Sequence, residues 1–231
     1  MNVQVRPVES RRLYQQIADQ IRELIQAGAF EVGGRLPAER ELAQQLGVSR
    51  PSVREALIAL DVEGNVEIRS GSGVYVCNQP QPAARKSVPV LGESPRELMQ
   101  ARAAFESAVV VIACSQATAE QVARLREIVR KMGAENARSR PPVDLDRQFH
   151  MTVAEMTGNS VMVRLVAELF DERHSPIFAK LRSRYDNTRT WRAAVKEHVA
   201  IVRAIEARDP LGAQAAMLTH LRASETRWVG G

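Results

Sequence analysis

Three histidines and one aspartate in the second half of the chain have the residue types and spacing of a divalent-metal site. Asp146 and His150 are four residues apart, so a helix would place the carboxylate and the imidazole side by side on one face. His198 and His220 each fall on an apolar stripe of a later predicted helix. Together they offer three nitrogens and one oxygen, a ligand set suited to Zn, Ni, Mn or Fe, and cores of helical bundles commonly hold such sites.

Arg102 also falls on an apolar stripe. It shares helical spacing with Leu98, Phe105 and Val109, so the pattern predicts a guanidinium that faces the core. A buried guanidinium needs an anionic or hydrogen-bonding partner. Glu106, one helical turn further on, and the carboxylate of a bound ligand are both reasonable partners, and the sequence leaves the choice open.

Other interpretations of these residues compete with a binding site. A single histidine on an apolar face is most often a core residue whose nitrogens bond to the protein, and His174, which lies off the stripes, is interpreted as structural or exposed. Three histidines with a paired aspartate favour a metal centre, which could activate water in an enzyme, stabilise the bundle or help to bind a small acid. No further His, Glu or Lys is recognisably placed as a general base, which disfavours the enzyme.

Long helical patterns fill the second half of the chain and predict an all-α antiparallel bundle. We assign residues 95–231 to this domain, with Gly133, Gly158 and Pro210 as helix breaks. The predicted helices span residues 95–115, 119–137, 142–157, 159–185, 188–207 and 210–228. Residues 79–94 precede this domain, are rich in proline and lack apolar periodicity, so they are predicted to form a linker.

The first part of the chain, residues 1–78, has the element order of a winged helix-turn-helix domain. Apolar spacing predicts two helices, of which the second begins near Pro37 and stops at Gly47. Ser49 is suited to cap a third helix, and Pro51 is tolerated there because first-turn amides have no helical partner. Alternating Val and Ile on either side of a Gly-Ser-Gly turn then predict a β-hairpin.

In such a domain the helix after the Gly47 turn is the recognition helix, whose N-terminal residues meet base edges in the major groove. Arg50, Ser52 and Arg54 lie at that end, off the apolar stripe. Arginine can bind guanine or clamp a phosphate, and the Ser49 and Ser52 hydroxyls suit phosphate contacts. The alternative is that both arginines are solvated and pair with acidic residues of the same helix.

Composition and charge set the broad class of the protein. Its 231 residues are 45% hydrophobic and 26% charged, as in soluble globular proteins. No run approaches the roughly 18 apolar residues of a membrane span, and two cysteines without CxxC spacing indicate no disulfide framework, so we expect a cytoplasmic protein with no membrane partner. The net charge is +5, yet residues 1–78 contain nine Arg against ten Asp and Glu, so DNA binding must depend on where individual arginines lie.

The first part of the chain resembles the DNA-binding half of the GntR family of bacterial transcription regulators, through the run LPAERELAQQLGVSRPSVREALIALDVEGNVEIRSGSGVYV. The resemblance implies that the partner is a palindromic, double-stranded operator. The family residues that contact DNA match Arg40, Ser49, Arg50, Ser52, Arg54 and the wing turn from Arg69 to Gly71.

The second part resembles the FCD domain of the FadR branch of that family, through MQARAAFESAV, DRQFH, the Gly-Asn pair at 158–159 and ARDPLGAQAAMLTHL. The resemblance implies metal ligation by Asp146, His150, His198 and His220 and effector binding by Arg102 and Asn159. The expected cofactor is a divalent metal, with Zn ahead of Ni, Mn or Fe.

Two runs, RRLYQQIADQIRELI and ELMQARAAFESAVVVIACSQAT, further resemble hexuronate-utilisation repressors. This resemblance implies that the effector is a small carboxylate, either a sugar acid or a hydroxy acid. The expected protein is therefore a homodimeric repressor that leaves its operator when the acid binds beside the metal, and it is not expected to be an enzyme.

Overall fold

The computed structural model describes residues 12–77 and 92–228 of the chain. The chain divides into two compact units, residues 1–89 and 90–231. The division falls within the predicted Pro-rich linker, most of which lies outside the described residues.

The first unit contains three helices followed by a two-stranded hairpin, which confirms the predicted winged helix-turn-helix. Its elements are α1 (Leu13–Gln26), α2 (Glu39–Leu46), α3 (Arg50–Val62), β1 (Val66–Arg69) and β2 (Gly73–Val76). Helix α3 packs against α1, α2 and β1. The side chains of Ile21, Leu42, Val53 and Leu57 are buried, so the apolar stripes of the sequence form the core of this unit.

The turn between α2 and α3 determines where the third helix begins. Gly47 has a φ of 66°, in the left-handed region that glycine enters without a Cβ clash. Ser49 then caps α3, because its Oγ accepts a hydrogen bond from the backbone N–H of Ser52. Pro51 lies in the first turn, where a missing N–H costs no helical hydrogen bond.

Strands β1 and β2 form the predicted hairpin. They pair antiparallel, with Val66 opposite Val76 and Ile68 opposite Val74. Gly71 lies in the connecting turn with a φ of 71°. Because the side chains of Val66 and Val76 are buried, the alternation read from the sequence corresponds to one face of the hairpin that packs on the helices.

The described part of the second unit is helical throughout, as predicted. Its elements are α4 (Pro95–Gln116), α5 (Ala119–Ala137), α6 (Val143–Glu155), α7 (Ser160–Asp171), a 3-10 turn (Glu172–His174), α8 (Pro176–Tyr185), α9 (Thr188–Glu206) and α10 (Pro210–Trp228). Helix α10 packs on α4 and α9, and α6 contacts α4, α5 and α7. Among the described helices, α4 alone is long and apolar enough to cross a membrane, and more than half of its apolar stretch is buried inside the unit.

One predicted helix, over residues 159–185, is wrong in its extent, because the structure divides it into α7, the 3-10 turn and α8. Pro176 accounts for the break: it has no N–H to continue a helix, and it disfavours helical geometry at Ser175, which is extended with a ψ of 154°. Gly133, predicted as a break, lies inside α5, where packing against α9 outweighs its low helix propensity. The bounds of the other five predicted helices agree with the structure to within two residues.

Replacing Gly47 with alanine should destabilise the first unit by about 1 kcal/mol, because a Cβ makes the left-handed backbone costly. No atom lies within 4 Å of the position of that Cβ, so the effect should come from the backbone alone. Gly47→Asn is the matched control and should cost less, since asparagine enters this region more readily. Native-state hydrogen exchange of the α2 and α3 amides measures both changes, and equal losses would contradict the explanation.

Candidate functional site

Four residues predicted as metal ligands come together in the second unit. Asp146 and His150 extend from α6, His198 from α9 and His220 from α10. One ligand atom from each lies within 4.8 Å of the others, and all four residues are buried. Helical spacing explains the pair on α6, whereas the packing of α9 and α10 brings in the other two. We call these four residues the His/Asp cluster.

Each imidazole of the His/Asp cluster is held through Nδ1. His150 Nδ1 lies 2.5 Å from Oε2 of Glu106, and His220 Nδ1 lies 2.8 Å from Oε2 of Glu197. His198 Nδ1 lies 2.7 Å from a carbonyl oxygen one turn earlier on α9. An Nδ1–H that donates to an oxygen fixes the ring orientation and leaves the lone pair on Nε2, the arrangement found around metal-binding histidines.

Two of these Nε2 atoms have no hydrogen-bond partner in the described chain. Nε2 of His150 and Nε2 of His198 are both buried, at 3.8 Å and 3.2 Å from Oδ1 of Asp146. Buried polar atoms almost always have a partner, so these nitrogens indicate a group that the protein itself does not supply. A divalent cation fits, because imidazole nitrogens and a carboxylate oxygen lie within 4.8 Å of one another.

The protonation states of the cluster also suit a cation. Burial lowers the pKa of His220 to about 3, with neighbouring His198 adding to the effect, and burial lowers the pKa of His150 although a carboxylate lies nearby. Burial alone would raise the pKa of Asp146, but the adjacent ring of His198 and the charge of Arg173 hold it well below its usual value. The neutral imidazoles of His150 and His220 and the ionised carboxylate of Asp146 are the forms that bind metals.

Arg102 is buried, as its apolar stripe predicted, with 1% of the residue exposed. Its Nε donates to Oε1 of Glu106 at 2.7 Å, and its guanidinium carbon lies 4.6 Å from the centre of the Phe170 ring. Its Nη2 is buried without a hydrogen-bond partner. Of the two partners considered from the sequence, Glu106 is present in the chain, and the Nη2 group of Arg102 remains for an acceptor from outside.

Arg102 and two members of the His/Asp cluster line one cavity, which we call the effector cavity. Asp146 and His220 lie in its wall with Arg102, and Asp186, Trp191 and Trp228 also line it. The free space at its centre is about 20 Å³, close to what one water molecule needs. The cavity is therefore narrow, polar and bordered by two of the four candidate metal ligands.

Arg173 is a second buried guanidinium, which the sequence analysis missed. Its Nη1 donates to Oδ2 of Asp146 at 2.9 Å, and its guanidinium carbon lies 4.5 Å from the ring centre of Phe170 and 4.6 Å from that of Trp228. Burial lowers its pKa to about 10. Arg173 lies in the 3-10 turn, so no helical stripe marked it as an inward-facing residue.

Asn159, the other predicted effector residue, is not in the wall of the effector cavity. It caps α7, because its Oδ1 accepts hydrogen bonds from the N–H groups of Val161 and Met162, and it is exposed. His174 is exposed as well, which agrees with its interpretation as structural or exposed. Of the two residues proposed to bind the effector, only Arg102 therefore adjoins the cluster.

The predicted DNA-contacting residues lie on α2, on α3 and at the turn of the hairpin. Five of them are exposed, namely Arg40, Ser49, Arg50, Arg69 and Gly71. Ser52 is half-buried, and its hydroxyl lies 2.8 Å from that of Ser49. These positions give an exposed set of cations and hydroxyls near the N-terminal end of α3 and at the wing.

Two of the arginines make ion pairs within the unit. Arg54 is half-buried, and its Nη2 lies 2.8 Å from Oε2 of Glu39 on α2, so one of its partners is on another helix. Arg69 lies 2.8 Å from Glu67, and its guanidinium carbon is 4.4 Å from the centre of the Tyr75 ring. These contacts orient both side chains in the absence of DNA.

Comparison with known proteins gives two family matches and a set of regulators. Residues 13–76 match the family described as bacterial regulatory proteins, gntR family, and residues 97–223 match the FCD domain. The chain is 40% identical to the Exu regulon transcriptional regulator of Escherichia coli K12, over 92% of this chain and 83% of that protein. It is 34% identical to the Uxu operon regulator of Haemophilus influenzae, over 91% and 79% of the two chains.

Solved structures show the same architecture. A structure described as Streptococcus agalactiae GntR aligns with a TM-score of 0.50 at 25% identity, over 91% of this chain and 98% of that one. The structure of E. coli McbR/YncC aligns with a TM-score of 0.53 at 20% identity, over 93% and 95% of the two chains. The second likeness supports the fold alone.

Replacing His198 with glutamine should lower the affinity for Zn by at least about tenfold, because even a disturbance of a ligand's hydrogen bonds has an effect of that size. Metal analysis after dialysis against buffers of defined free Zn concentration measures the change. His174→Gln is the matched control, since His174 is exposed and outside the cluster. Equal Zn content in the wild type and His198→Gln would show that the cluster is not a metal site.

Proposed function

The chain belongs to the GntR family of bacterial transcription regulators and carries an FCD domain, and on this premise we propose that it is a repressor released from its operator by a small carboxylic acid. It is a DNA-binding transcriptional regulator, and its relatives are regulators, not enzymes. We propose a sugar acid or hydroxy acid as effector. A hexuronate is favoured by the resemblance to hexuronate-utilisation repressors and by the similarity to the Exu and Uxu regulators.

The observation that carries this proposal is the set of buried polar atoms in the effector cavity and in the adjoining His/Asp cluster. Nη2 of Arg102 is a donor without an acceptor, and Nε2 of His150 and of His198 have no hydrogen-bond partner. A carboxylate provides two oxygens for a guanidinium, and a divalent cation binds imidazole lone pairs. An acid bound beside a metal would satisfy all three atoms together.

In this proposal the His/Asp cluster holds a divalent metal, with Zn as the first choice and Ni, Mn or Fe compatible with the same ligands. The metal would supply a Lewis acid with open positions for the carboxylate and the adjacent hydroxyl of the acid. Arg102 binds the acid's carboxylate and orients it. Glu106 positions both Arg102 and the metal ligand proposed at His150, since one of its oxygens is hydrogen-bonded to Arg102 and the other to His150.

Binding of an acid requires the effector cavity to widen, because its free space of about 20 Å³ is close to that of one water molecule. The widened form then binds the acid better than the narrow form does. If the widened form also holds the recognition helices in positions unsuited to the operator, the acid lowers DNA affinity by linkage. This difference between two forms is the proposed basis of release.

We propose that the regulator is a cytoplasmic homodimer whose two α3 helices span a palindromic operator. Arg40 and Arg50 are exposed and free to approach guanine edges or phosphates. Arg54 would exchange part of its contact with Glu39 for DNA. The proposed contacts also include Ser49, Ser52 and the wing turn from Arg69 to Gly71.

Replacing Arg50 with alanine should weaken operator binding and reduce its salt dependence by about one ion, the effect of losing one phosphate contact. Fluorescence anisotropy with a duplex from upstream of the protein's own gene, at several salt concentrations, measures both changes. Arg164→Ala, which removes an exposed arginine from α7, is the control. An equal effect of the two substitutions would remove Arg50 from the interface.

The Zn-loaded protein should release this duplex when titrated with galacturonate, glucuronate or another hydroxy acid of a panel, and EDTA should abolish the release. Arg102→Lys keeps the charge but loses the guanidinium fork, so the acid concentration for half-release should rise by about tenfold or more. EDTA that lowers the melting temperature without changing the acid response would instead indicate a purely structural metal. DNA affinity unchanged by every acid would reject the effector proposal.

A further inference from the structure

We propose that Asp186 and Trp191 form a second subsite of the effector cavity, which binds hydroxyl groups and so selects a polyhydroxy monocarboxylic acid over dicarboxylic and short hydroxy acids. This inference rests on the proposed function and assigns the part of the cavity that recognises the effector away from its carboxylate. Both residues line the cavity together with Arg102, Asp146 and His220.

The first observation is a carboxylate with one oxygen unused. Oδ1 of Asp186 accepts a hydrogen bond from Nε1 of Trp228 at 3.0 Å, whereas Oδ2 is buried with no hydrogen-bond partner. Burial raises the pKa of the Asp186 carboxyl, which reflects the free energy lost when a carboxylate leaves water with few partners. A hydroxyl of a ligand would provide the missing donor.

The second observation is a buried donor in the wall of the same cavity. Nε1 of Trp191 has no hydrogen-bond partner, and 5% of the residue is exposed. Asp186 directly precedes the cap of α9, and Trp191 lies in the first turns of that helix. A hydroxyl both donates and accepts, so the hydroxyl groups of a ligand can provide the donor for a carboxylate oxygen and the acceptor for an indole N–H.

The charges around the cavity disfavour a second carboxylate on the ligand. Arg102 is paired with Glu106, Arg173 with Asp146, and Arg227 with Glu197. Asp186 forms no ion pair within the described ranges, although the charges of Arg173 and Arg182 act to lower its pKa, and its hydrogen bond comes from the neutral indole of Trp228. A dicarboxylic acid would therefore place an anion beside Asp186, which costs free energy.

Short acids fail for a different reason. A two- or three-carbon hydroxy acid that binds at Arg102 has no group to reach the second subsite, so Oδ2 of Asp186 and Nε1 of Trp191 stay unpaired. A site built around buried polar atoms discriminates strongly against ligands that leave them without partners. Uronic and aldonic acids carry both the carboxylate and a row of hydroxyls, and they are the class that the cavity fits.

Isothermal titration of the Zn-loaded full chain with D-galacturonate, D-glucuronate, D-gluconate, L-malate and L-lactate tests the inference. We expect at least one polyhydroxy acid to bind roughly tenfold or more tightly than malate and lactate. Asp186→Asn and Trp191→Phe should each weaken binding of that acid by about tenfold, the usual effect of losing a hydrogen bond to a charged or buried group, while binding of lactate changes little.

Asp171→Asn is the matched control, because it makes the same chemical change at an exposed aspartate. Trp191→Phe keeps the ring that packs in the core, and bound Zn with the melting temperature verifies that each variant is folded. Binding of the polyhydroxy acid that is unaffected by both substitutions, or a malate affinity equal to it, would overturn the subsite and leave the repressor proposal intact. No heat of binding with any of the five acids would reject the proposed effector class together with the subsite.

Discussion

The buried carboxylate of Asp146 is the constraint on which the second unit depends. An ionised group removed from water costs several kcal/mol unless other groups replace the solvent. Arg173 from the 3-10 turn bonds one oxygen, and His198 from α9 lies 3.2 Å from the other. The positions of the 3-10 turn and of α9 therefore depend on the charge of Asp146. A change in the charge or ligation of Asp146 would act directly on these two elements.

Glu106 joins the two halves of the proposed site. Burial would raise its pKa, but the charge of Arg102 and contact with His150 lower it to about 2, so it remains ionised. A buried ion pair adds little net stability, so its effect here is better described as positioning. One carboxylate contacts both the guanidinium proposed to bind the acid and an imidazole proposed to bind the metal. A shift of Arg102 on binding an acid would therefore move His150 of the cluster.

The DNA-binding unit depends on a different balance. It carries slightly more acidic than basic residues, so its affinity for DNA cannot come from a general positive charge. The affinity for DNA must instead depend on the positions of individual arginines. Exposed Arg50 follows the cap of α3, and exposed Arg69 lies beside the turn of the wing. The ion pair between Arg54 and Glu39 also fixes the position of a cation, because it holds the Arg54 guanidinium at the recognition helix in the absence of DNA.

The sequence by itself determined the elements, because helix starts, stops and apolar faces are set by neighbouring residues. Gly47 and Ser49 defined the start of the recognition helix, and the spacing of Asp146 and His150 paired them on α6. Pro176 also determines a helix break, but the apolar residues on either side of it continue a helical pattern, so the sequence predicted one uninterrupted helix there.

Only the tertiary structure decided which residues share the centre. Periodicity shows which face of a helix is buried, but it does not show what that face meets. Arg173 lies in the 3-10 turn and Asp186 lies between α8 and α9, so neither belongs to an apolar stripe of a helix. Only the packing of the helices shows that both line the effector cavity. The same holds for Glu197, whose contact with His220 joins two different helices.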